Sequence, residues 1–249
     1  MKRLWLAFIL ALLVSSPALP QGPVVGQFDY YVLALAWQPG FCEIRPSIPE
    51  CQSQDKQRFD AKNLVLHGLW PSVREDDYHT YSFCNVRQSI QETDQEQQWC
   101  ELPSLNLAAD TVAKLSAMMP GTQSCLERHE WFKHGTCSGL SENKYFVKSL
   151  EFVETIVKTR LNAHIAANVG KYVSLQALQS VFEKDFGEGS REFVRFQCAR
   201  MYKASFLTEV RLYLRKDRLD QPLSKESFTE PAVSEEGTCE DEFLIDLPG

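Results

Sequence analysis

The chain has 249 residues, eight cysteines and a formal net charge of −7 at pH 7. A chain of this length can bury the core of one large domain, and its acidic balance argues against a protein that coats nucleic acid through a basic face. An acidic protein can still act on nucleic acid if it grips a few nucleotides at a local site.

The chain begins with the pattern of a signal peptide. Two basic residues precede an apolar run from Leu4 to Val14, and small residues follow around Ser16. The run has about half of the ~20 residues that a membrane-spanning helix needs, so it predicts a secretory signal rather than a membrane anchor. We therefore expect a signal peptide over residues 1–20 and a single domain over 21–249. The protein would be secreted or periplasmic, with no membrane contact.

The secondary-structure signals mix strands and helices without strict alternation, which predicts an α+β fold. Strands are indicated by apolar runs rich in aromatic and branched residues or by alternation of polar and apolar residues, and helices by a period near four residues. In chain order the sequence predicts strands over 28–37 and 63–70, long loops over 72–106, helices over 108–119 and 144–161, a helix capped by Ser174 and ended by Gly187, and a strand over 208–216.

All eight cysteines lie in the predicted mature part of the chain. An even number of cysteines behind a signal peptide predicts four disulfides formed in an oxidising compartment. The residues alone leave the pairing open, because eight cysteines allow roughly 105 connectivities. The cysteines are Cys42, Cys51, Cys84, Cys100, Cys125, Cys137, Cys198 and Cys239.

The stretch CLERHEWFKHGTC, residues 125–137, concentrates ionisable side chains. If residues 127–134 form a helix, Glu130 and His134 share a face, as do His129 and Lys133. A zinc site of the HExxH kind is an alternative, but the two histidines are five apart and would diverge by about 140° around a helix. A solvated surface helix is a second alternative, and the buried aromatic residues and flanking cysteines argue against it.

A second histidine lies in VLHGLWP, where His67 follows a predicted strand and Gly68 is expected to end that strand. A single histidine at a strand end is more often structural than catalytic. Two histidine motifs in one exported, disulfide-bonded chain favour a shared site.

The two motifs, HGLWP at 67–71 and HEWFKHGTC at 129–137, resemble the two active-site signatures of the ribonuclease T2 family. WQPGFC at 37–42, SCLER at 124–128 and the tail with the last two cysteines are most similar to the exported, periplasmic bacterial members. The resemblance covers essentially the whole mature chain. It implies an α+β fold with a central, mainly antiparallel sheet flanked by helices.

The resemblance also implies an endonuclease that cleaves single-stranded RNA without a metal ion or other cofactor. In this family the ribose 2′-hydroxyl attacks the adjacent phosphorus and forms a 2′,3′-cyclic phosphate, which is later hydrolysed to a 3′-phosphate. DNA lacks that hydroxyl and would resist cleavage. We expect a monomer. The alternative is a catalytically weak RNA-binding or inhibitory member of the family, but such proteins usually lose a catalytic histidine, and both are present here.

Position in the signatures implies the role of each residue. His134 would be the general base and His67 the general acid, and the Glu130 carboxyl would polarise the phosphate in a protonated or charge-balanced form. Leu126 stands where the family often has an aromatic residue, which predicts weak discrimination at a second base site. The expected phosphate contacts are His129 and Lys133. The expected base-stacking residues are Trp70 and Tyr78, and a core position is the alternative for either, because stacking needs an exposed ring.

The resemblance further implies two of the disulfides, Cys84 with Cys137 and Cys198 with Cys239. Local spacing then suggests Cys42 with Cys51 and leaves Cys100 with Cys125. The bond between Cys84 and Cys137 would anchor the histidine-rich helix to the segment after HGLWP.

Overall fold

The computed structural model describes residues 23–74 and 81–248. The expected signal peptide, residues 1–20, lies outside this range, and so does Tyr78. Within the described ranges no helix is both long enough and apolar enough to cross a membrane.

Within residues 23–74 and 81–248, a central sheet of six strands organises the fold. The strand order is β2-β1-β5-β6-β3, and β4 also pairs with β5. Every pairing is antiparallel except the short one between β5 and β6, so the predicted mainly antiparallel sheet is confirmed. The strands are β1 (Tyr30–Ala36), β2 (Val65–Ser72), β3 (Tyr172–Ser174), β4 (Val194–Met201), β5 (Ala204–Arg215) and β6 (Glu242–Leu244).

Helices cover one face of this sheet and build the main core with it. Leu33 of β1 and Leu212 of β5 are fully buried there, in the same cluster as Phe146 and Phe182 from two of the helices. The helices are α1 (Gln38–Ile44), α2 (Pro49–Gln52), α3 (Gln88–Gln95), α4 (Ala109–Met118), α5 (Leu126–Lys133), α6 (Glu142–Ile156), α7 (Arg160–Ala167) and α8 (Leu175–Phe186).

Several predicted elements are confirmed closely, and α8 is the clearest case. The Ser174 hydroxyl accepts a hydrogen bond from the backbone N–H of Ala177 at the start of this helix. Gly187 follows its last residue with φ of 96°, a backbone conformation that favours glycine.

Three expectations need correction. The single helix expected over 144–161 is two helices, because α6 ends at Ile156 and the Thr159 side chain caps α7. The stretch 72–106, expected to be loops, contains α3. Strand β4 was not predicted; it carries Arg195 and Arg200 among apolar residues and forms a hairpin with β5.

Strand β2 forms one edge of the sheet, and helix α6 packs against it. The buried Tyr145 hydroxyl donates a hydrogen bond to the Leu69 carbonyl oxygen at 2.7 Å, which gives an edge acceptor a partner. The Tyr145 ring also meets Trp131 of α5 edge-on, with centroids 5.8 Å apart. These contacts place α5 beside the edge strand.

The structure forms all four expected disulfides, and two of them hold α5 at its ends. Cys125, immediately before the helix, is bonded to Cys100, and Cys137, shortly after it, is bonded to Cys84. The other two bonds join Cys42 with Cys51 and Cys198 with Cys239.

Candidate active site

An irregularity in β2 positions His67. The pairing of β1 with β2 shifts from Ala34 opposite Gly68 to Leu35 opposite Leu66, so His67 is an extra residue without a partner on β1. Gly68 does not end the strand as expected, because β2 continues well beyond it after the bulge.

The bulge determines which face of the sheet His67 occupies. Leu66 and Leu69 both point into the main core, although regular alternation would place residues three apart on opposite faces. The extra residue lets both leucines be buried while His67 and Trp70 lie together on the other face, with ring centroids 5.2 Å apart. A strand irregularity therefore brings an imidazole beside the indole.

Helix α5 supplies the second half of the site. It ends at Lys133, and His134 is the residue that terminates it, with its backbone N–H bonded to the Glu130 carbonyl oxygen at 3.1 Å. The His134 side chain is buried, and its ring lies 5.4 Å from the Trp70 ring at an interplanar angle of 33°. Trp70 thus contacts an imidazole from each half.

The Glu130 carboxyl lies close to both imidazoles, with one oxygen within 4.8 Å of a His134 nitrogen. The Trp70 Nε1–H donates to Glu130 Oε2 at 2.7 Å, and His67 Nε2 lies 3.7 Å from Glu130 Oε1. A Cβ atom on Gly68 would stand 2.0 Å from Glu130 Oε2 and 2.2 Å from the Trp70 nitrogen. Only glycine at position 68 leaves room for this hydrogen bond.

Burial dominates the electrostatics of Glu130, whose side chain is 1% exposed. Burial raises the pKa of this carboxyl above its ordinary value, although His67, His129, the Trp70 hydrogen bond and Lys133 act to lower it. Among the described residues, Oε1 accepts no hydrogen bond. Burial and the lack of a hydrogen-bond donor to Oε1 both favour the protonated form of this carboxyl.

His67 has a second carboxylate on its other side. Its Nδ1 lies 2.5 Å from Oε2 of Glu209, a residue of β5, and 34% of the His67 side chain is exposed. Burial alone would lower the pKa of His67, but the charge and hydrogen bond of Glu209, with a contribution from Glu130, raise it above its ordinary value. The imidazolium form is therefore favoured.

His129 is held by two neighbours from the stretch 72–106. Its Nδ1 lies 2.8 Å from Asp94 Oδ1, and its ring stacks on Trp99 at 4.5 Å. This leaves Nε2 toward the site, 4.0 Å from Glu130 Oε1.

The predicted divergence of His129 and His134 is wrong. Their ring centroids are 6.2 Å apart, and with Glu130 they offer nitrogen and oxygen atoms that all lie within 4.8 Å of one another. The expected angle of about 140° between the two side chains holds for a regular helix. His134 ends α5 with φ of −114° and ψ of −50°, so its side chain does not follow the regular helical direction. Spacing alone therefore does not exclude a metal ion here.

The remaining predicted residues are placed as follows. Lys133 is the last residue of α5 and is partly buried. Trp70 is 4% exposed, so base stacking on it stays a prediction that requires the surrounding side chains to open. Leu126 packs against the main core, and Tyr78 lies outside the described residues.

Sequence reasoning missed the residues that support the histidines. Asp94 and Trp99 fall in a stretch expected to be loops, and Glu209 and Arg211 occur in the strand predicted over 208–216, to which no role in the site was assigned. Glu209 is one of several polar residues in this strand, so no local signal distinguished it. Its partner is 142 residues away along the chain.

Comparison with known proteins agrees with this geometry. The chain matches the Ribonuclease T2 family over residues 28–227. Ribonuclease I of Escherichia coli strain K12 is 32% identical over 271 aligned residues, which cover 100% of this chain and 100% of that protein.

Solved structures share the fold. The SF11-RNase associated with self-incompatibility in Nicotiana alata superposes with a TM-score of 0.62 at 18% identity, covering 88% of this chain and 99% of that one. A variant of RNase MC1 in complex with 5′-UMP gives 0.59 at 21% identity, covering 87% and 98%. Together with the full-length similarity, these matches show that the chain belongs to the ribonuclease T2 family and is an RNA endonuclease.

Proposed function

We propose that the enzyme cleaves single-stranded RNA without a metal ion, by transferring the phosphoryl group to the ribose 2′-hydroxyl. The observation that supports this most strongly is that two imidazoles from separate elements lie close to one buried carboxyl. His67 from β2 and His134 after α5 both contact Trp70, and Glu130 lies beside them. Two groups that can each carry a proton fit a reaction that removes one proton and supplies another.

In the first step His134 accepts the proton of the 2′-hydroxyl as the 2′-oxygen forms a bond to phosphorus. Imidazole is suited to this task because its unperturbed pKa of ~6.5 lets it take up a proton near neutral pH. The product end is a 2′,3′-cyclic phosphate.

In the same step the bond from phosphorus to the 5′-oxygen breaks, and His67 Nε2–H gives its proton to the departing oxygen. The raised pKa of His67 favours the protonated form, which a general acid must have. Hydrolysis of the cyclic phosphate reverses the two roles, because water then supplies a proton to one imidazole and the 2′-oxygen takes one from the other.

Charge that develops on the non-bridging phosphate oxygens needs a third set of groups. A Glu130 carboxyl that retains its proton can donate a hydrogen bond to such an oxygen instead of repelling it. Lys133 and the Nε2 side of His129 would add positive charge or a further hydrogen bond. DNA would resist cleavage because it has no 2′-hydroxyl.

We further propose that the enzyme is a monomer exported to the periplasm or secreted. The N-terminal pattern and the four disulfides support export, because such bonds persist in oxidising compartments. Activity confined to the cytoplasmic fraction of expressing cells would contradict export, and elution at twice the monomer mass would contradict the oligomeric state.

A metal-dependent hydrolase is the second candidate, because one observation favours it. His129, Glu130 and His134 offer three possible ligand atoms close together, and Asp94 holds the far nitrogen of His129 as carboxylates do in zinc sites. The two mechanisms differ in their response to chelators.

One assay separates the candidates. Purified protein is incubated with single-stranded RNA and with DNA of the same sequence, with and without EDTA, and the RNA ends are identified. We expect cleavage of RNA alone, unaffected by EDTA, with cyclic or 3′-phosphate ends. Loss of activity in EDTA that added zinc restores would support the metal enzyme, and no cleavage would support a binding or inhibitory protein.

A further inference from the structure

The proposed chemistry leaves a buried carboxylate unexplained. Glu209 lies in β5, its side chain is 10% exposed, and it is separated from the Glu130 side of the site by the His67 ring. Both of its oxygens have partners: Oε2 meets His67 Nδ1 at 2.5 Å, and Oε1 accepts from Arg211 Nε at 2.6 Å. A buried ionised group is costly unless it is paired in this way.

The sheet is built so that Glu209 can reach His67. The two residues stand on strands that are not neighbours, because β1 lies between β2 and β5. The β1 residues opposite this part of β5 are Ala36, which pairs with Glu209, and Ala34, which pairs with Arg211. Small side chains at these two positions leave space above β1 for the carboxylate to cross to the imidazole.

A second layer fixes the carboxylate itself. Arg211 is two residues from Glu209 and lies on the same face of the strand. The Nη1 atom of Arg211 lies 3.4 Å from Oε2 of Glu235. The same Glu235 oxygen accepts a hydrogen bond from the Tyr213 hydroxyl at 3.0 Å. The chain of contacts leads from the His67 ring to a buried anchor, Glu235, which is 6% exposed.

We propose that Glu209 is the positioning residue for the general acid: it holds His67 with Nδ1–H toward β5, so that Nε2–H faces the departing 5′-oxygen. The inference rests on the proposed role of His67. An ionised carboxylate can only accept a hydrogen bond, so the proton between the two groups belongs to Nδ1. The nitrogen that remains for chemistry is Nε2, on the side of Glu130.

Glu209 also keeps His67 charged. Burial would raise the pKa of the Glu209 carboxyl, but His67 and Arg211 lower it to about 2, so it is an anion at every pH at which the enzyme would work. Among the described residues, the charged or titratable groups that face His67 are Glu209 and Arg211 from β5 and Glu130 from α5. Removal of the Glu209 charge also takes one carboxylate away from Arg211, which keeps its contact with Glu235, so less of the Arg211 charge is offset beside His67. Both changes disfavour the imidazolium.

The direct test measures the ionisation of His67 itself. The ring proton signal of His67, identified by its absence in His67→Gln, is titrated by NMR in the wild type and in Glu209→Gln. The amide keeps an acceptor for Nδ1–H but removes the charge, so we expect the midpoint to fall by about one pH unit. Glu183→Gln is the matched control, because Glu183 is also paired with an arginine and has a pKa lowered to about 2. It should leave the midpoint unchanged.

The second test follows the reaction. A general acid must be protonated, so activity falls as pH rises through its pKa, and a lower pKa in Glu209→Gln moves this alkaline limb of kcat/KM to lower pH. Glu209→Leu removes the acceptor as well, and we expect kcat on a dinucleotide to fall on the order of 10- to 100-fold with little change in KM. Melting temperatures show whether each variant is folded; if the leucine variant is not, the glutamine variant alone decides.

Two outcomes contradict the inference in different ways. An unchanged His67 midpoint in folded Glu209→Gln would overturn the coupling between the two residues, whatever the activity. A lowered midpoint with an unchanged alkaline limb would instead overturn the role of His67 as the acid, and with it the catalytic part of the inference.

Discussion

The two halves of the active site are held in place by different forces. Helix α5, which carries Glu130 and precedes His134, is tied at both ends by disulfides and packs through Trp131 against Tyr145. His67 has no covalent tie; it depends on a bulge in β2 and on charged contacts across the sheet.

Because of this difference, the two halves of the site should respond separately to pH and to reducing agents. Covalent bonds that fix α5 do not respond to pH but do respond to reduction. The ion pair that fixes His67 is unaffected by reducing agents, but it requires Glu209 ionised and His67 protonated. Each half can therefore be disturbed without direct change to the other.

The largest effect is expected from the α5 half. His134→Ala removes the proposed base, and we expect kcat/KM on RNA to fall by about 10²- to 10⁴-fold, the usual contribution of such a group. His164→Ala, in α7 and apart from the site, is the control and should keep wild-type activity. Initial rates on a dinucleotide measure both, and near-normal turnover in a folded His134→Ala would refute the assignment.

Gly68→Ala disturbs the contact between the halves. The added methyl group would collide with Glu130 and Trp70, so the hydrogen bond between them must break, and we expect activity to fall roughly 10- to 100-fold with a destabilisation of about 1–3 kcal/mol. Gly26→Ala provides the comparison: its φ of 78° strains the variant, yet among the described residues no atom beyond its two chain neighbours lies within 4 Å of the new carbon. It should lose stability but keep activity. Equal activity in the two variants would argue against the packing account.

The covalent tie of α5 is tested by removing it. Replacement of Cys84 and Cys137 by serine opens a link between residues 53 apart, and we expect a loss of about 4 kcal/mol of stability. The same change at Cys42 and Cys51, which are 9 apart, should cost about 3 kcal/mol. Denaturant unfolding measures both. Activity per folded molecule should fall only in the first pair, and an equal fall in both would contradict a special role for α5.

A smaller effect is expected in the pH profile of Glu130→Gln. In the proposed mechanism the Glu130 carboxyl must keep its proton, so wild-type activity falls as pH rises through the raised pKa of Glu130 as well as through that of His67. The amide cannot lose a proton, so we expect the alkaline limb of kcat/KM to move to higher pH. A profile that coincides with that of the wild type would show that Glu130 does not titrate in the working range.

The sequence predicted well those features that depend on neighbours along the chain. The Glu130 and His134 spacing, the Ser174 cap and the Gly187 stop are local, because each is decided within one or two helical turns. The sheet class and the identity of the two histidine motifs were also accessible from pattern and resemblance.

Features that depend on distant contacts could not be predicted in the same way. The bulge at His67 requires the register of β1 against β2, and the role of Glu209 requires knowledge that β5 lies two strands from β2. Asp94 reaches His129 from another helix. No local pattern encodes these pairings, because in the sequence each of these polar residues looks like an ordinary surface residue.

The central claim is that His67 protonates the leaving oxygen, and one comparison of substrates tests it most directly. His67→Ala is assayed on a uridylyl dinucleotide and on uridine 3′-(4-nitrophenyl phosphate), whose weakly basic leaving group needs no proton. We expect a loss of at least about 10²-fold on the dinucleotide and less than about tenfold on the aryl ester. Equal losses on both substrates would contradict the account.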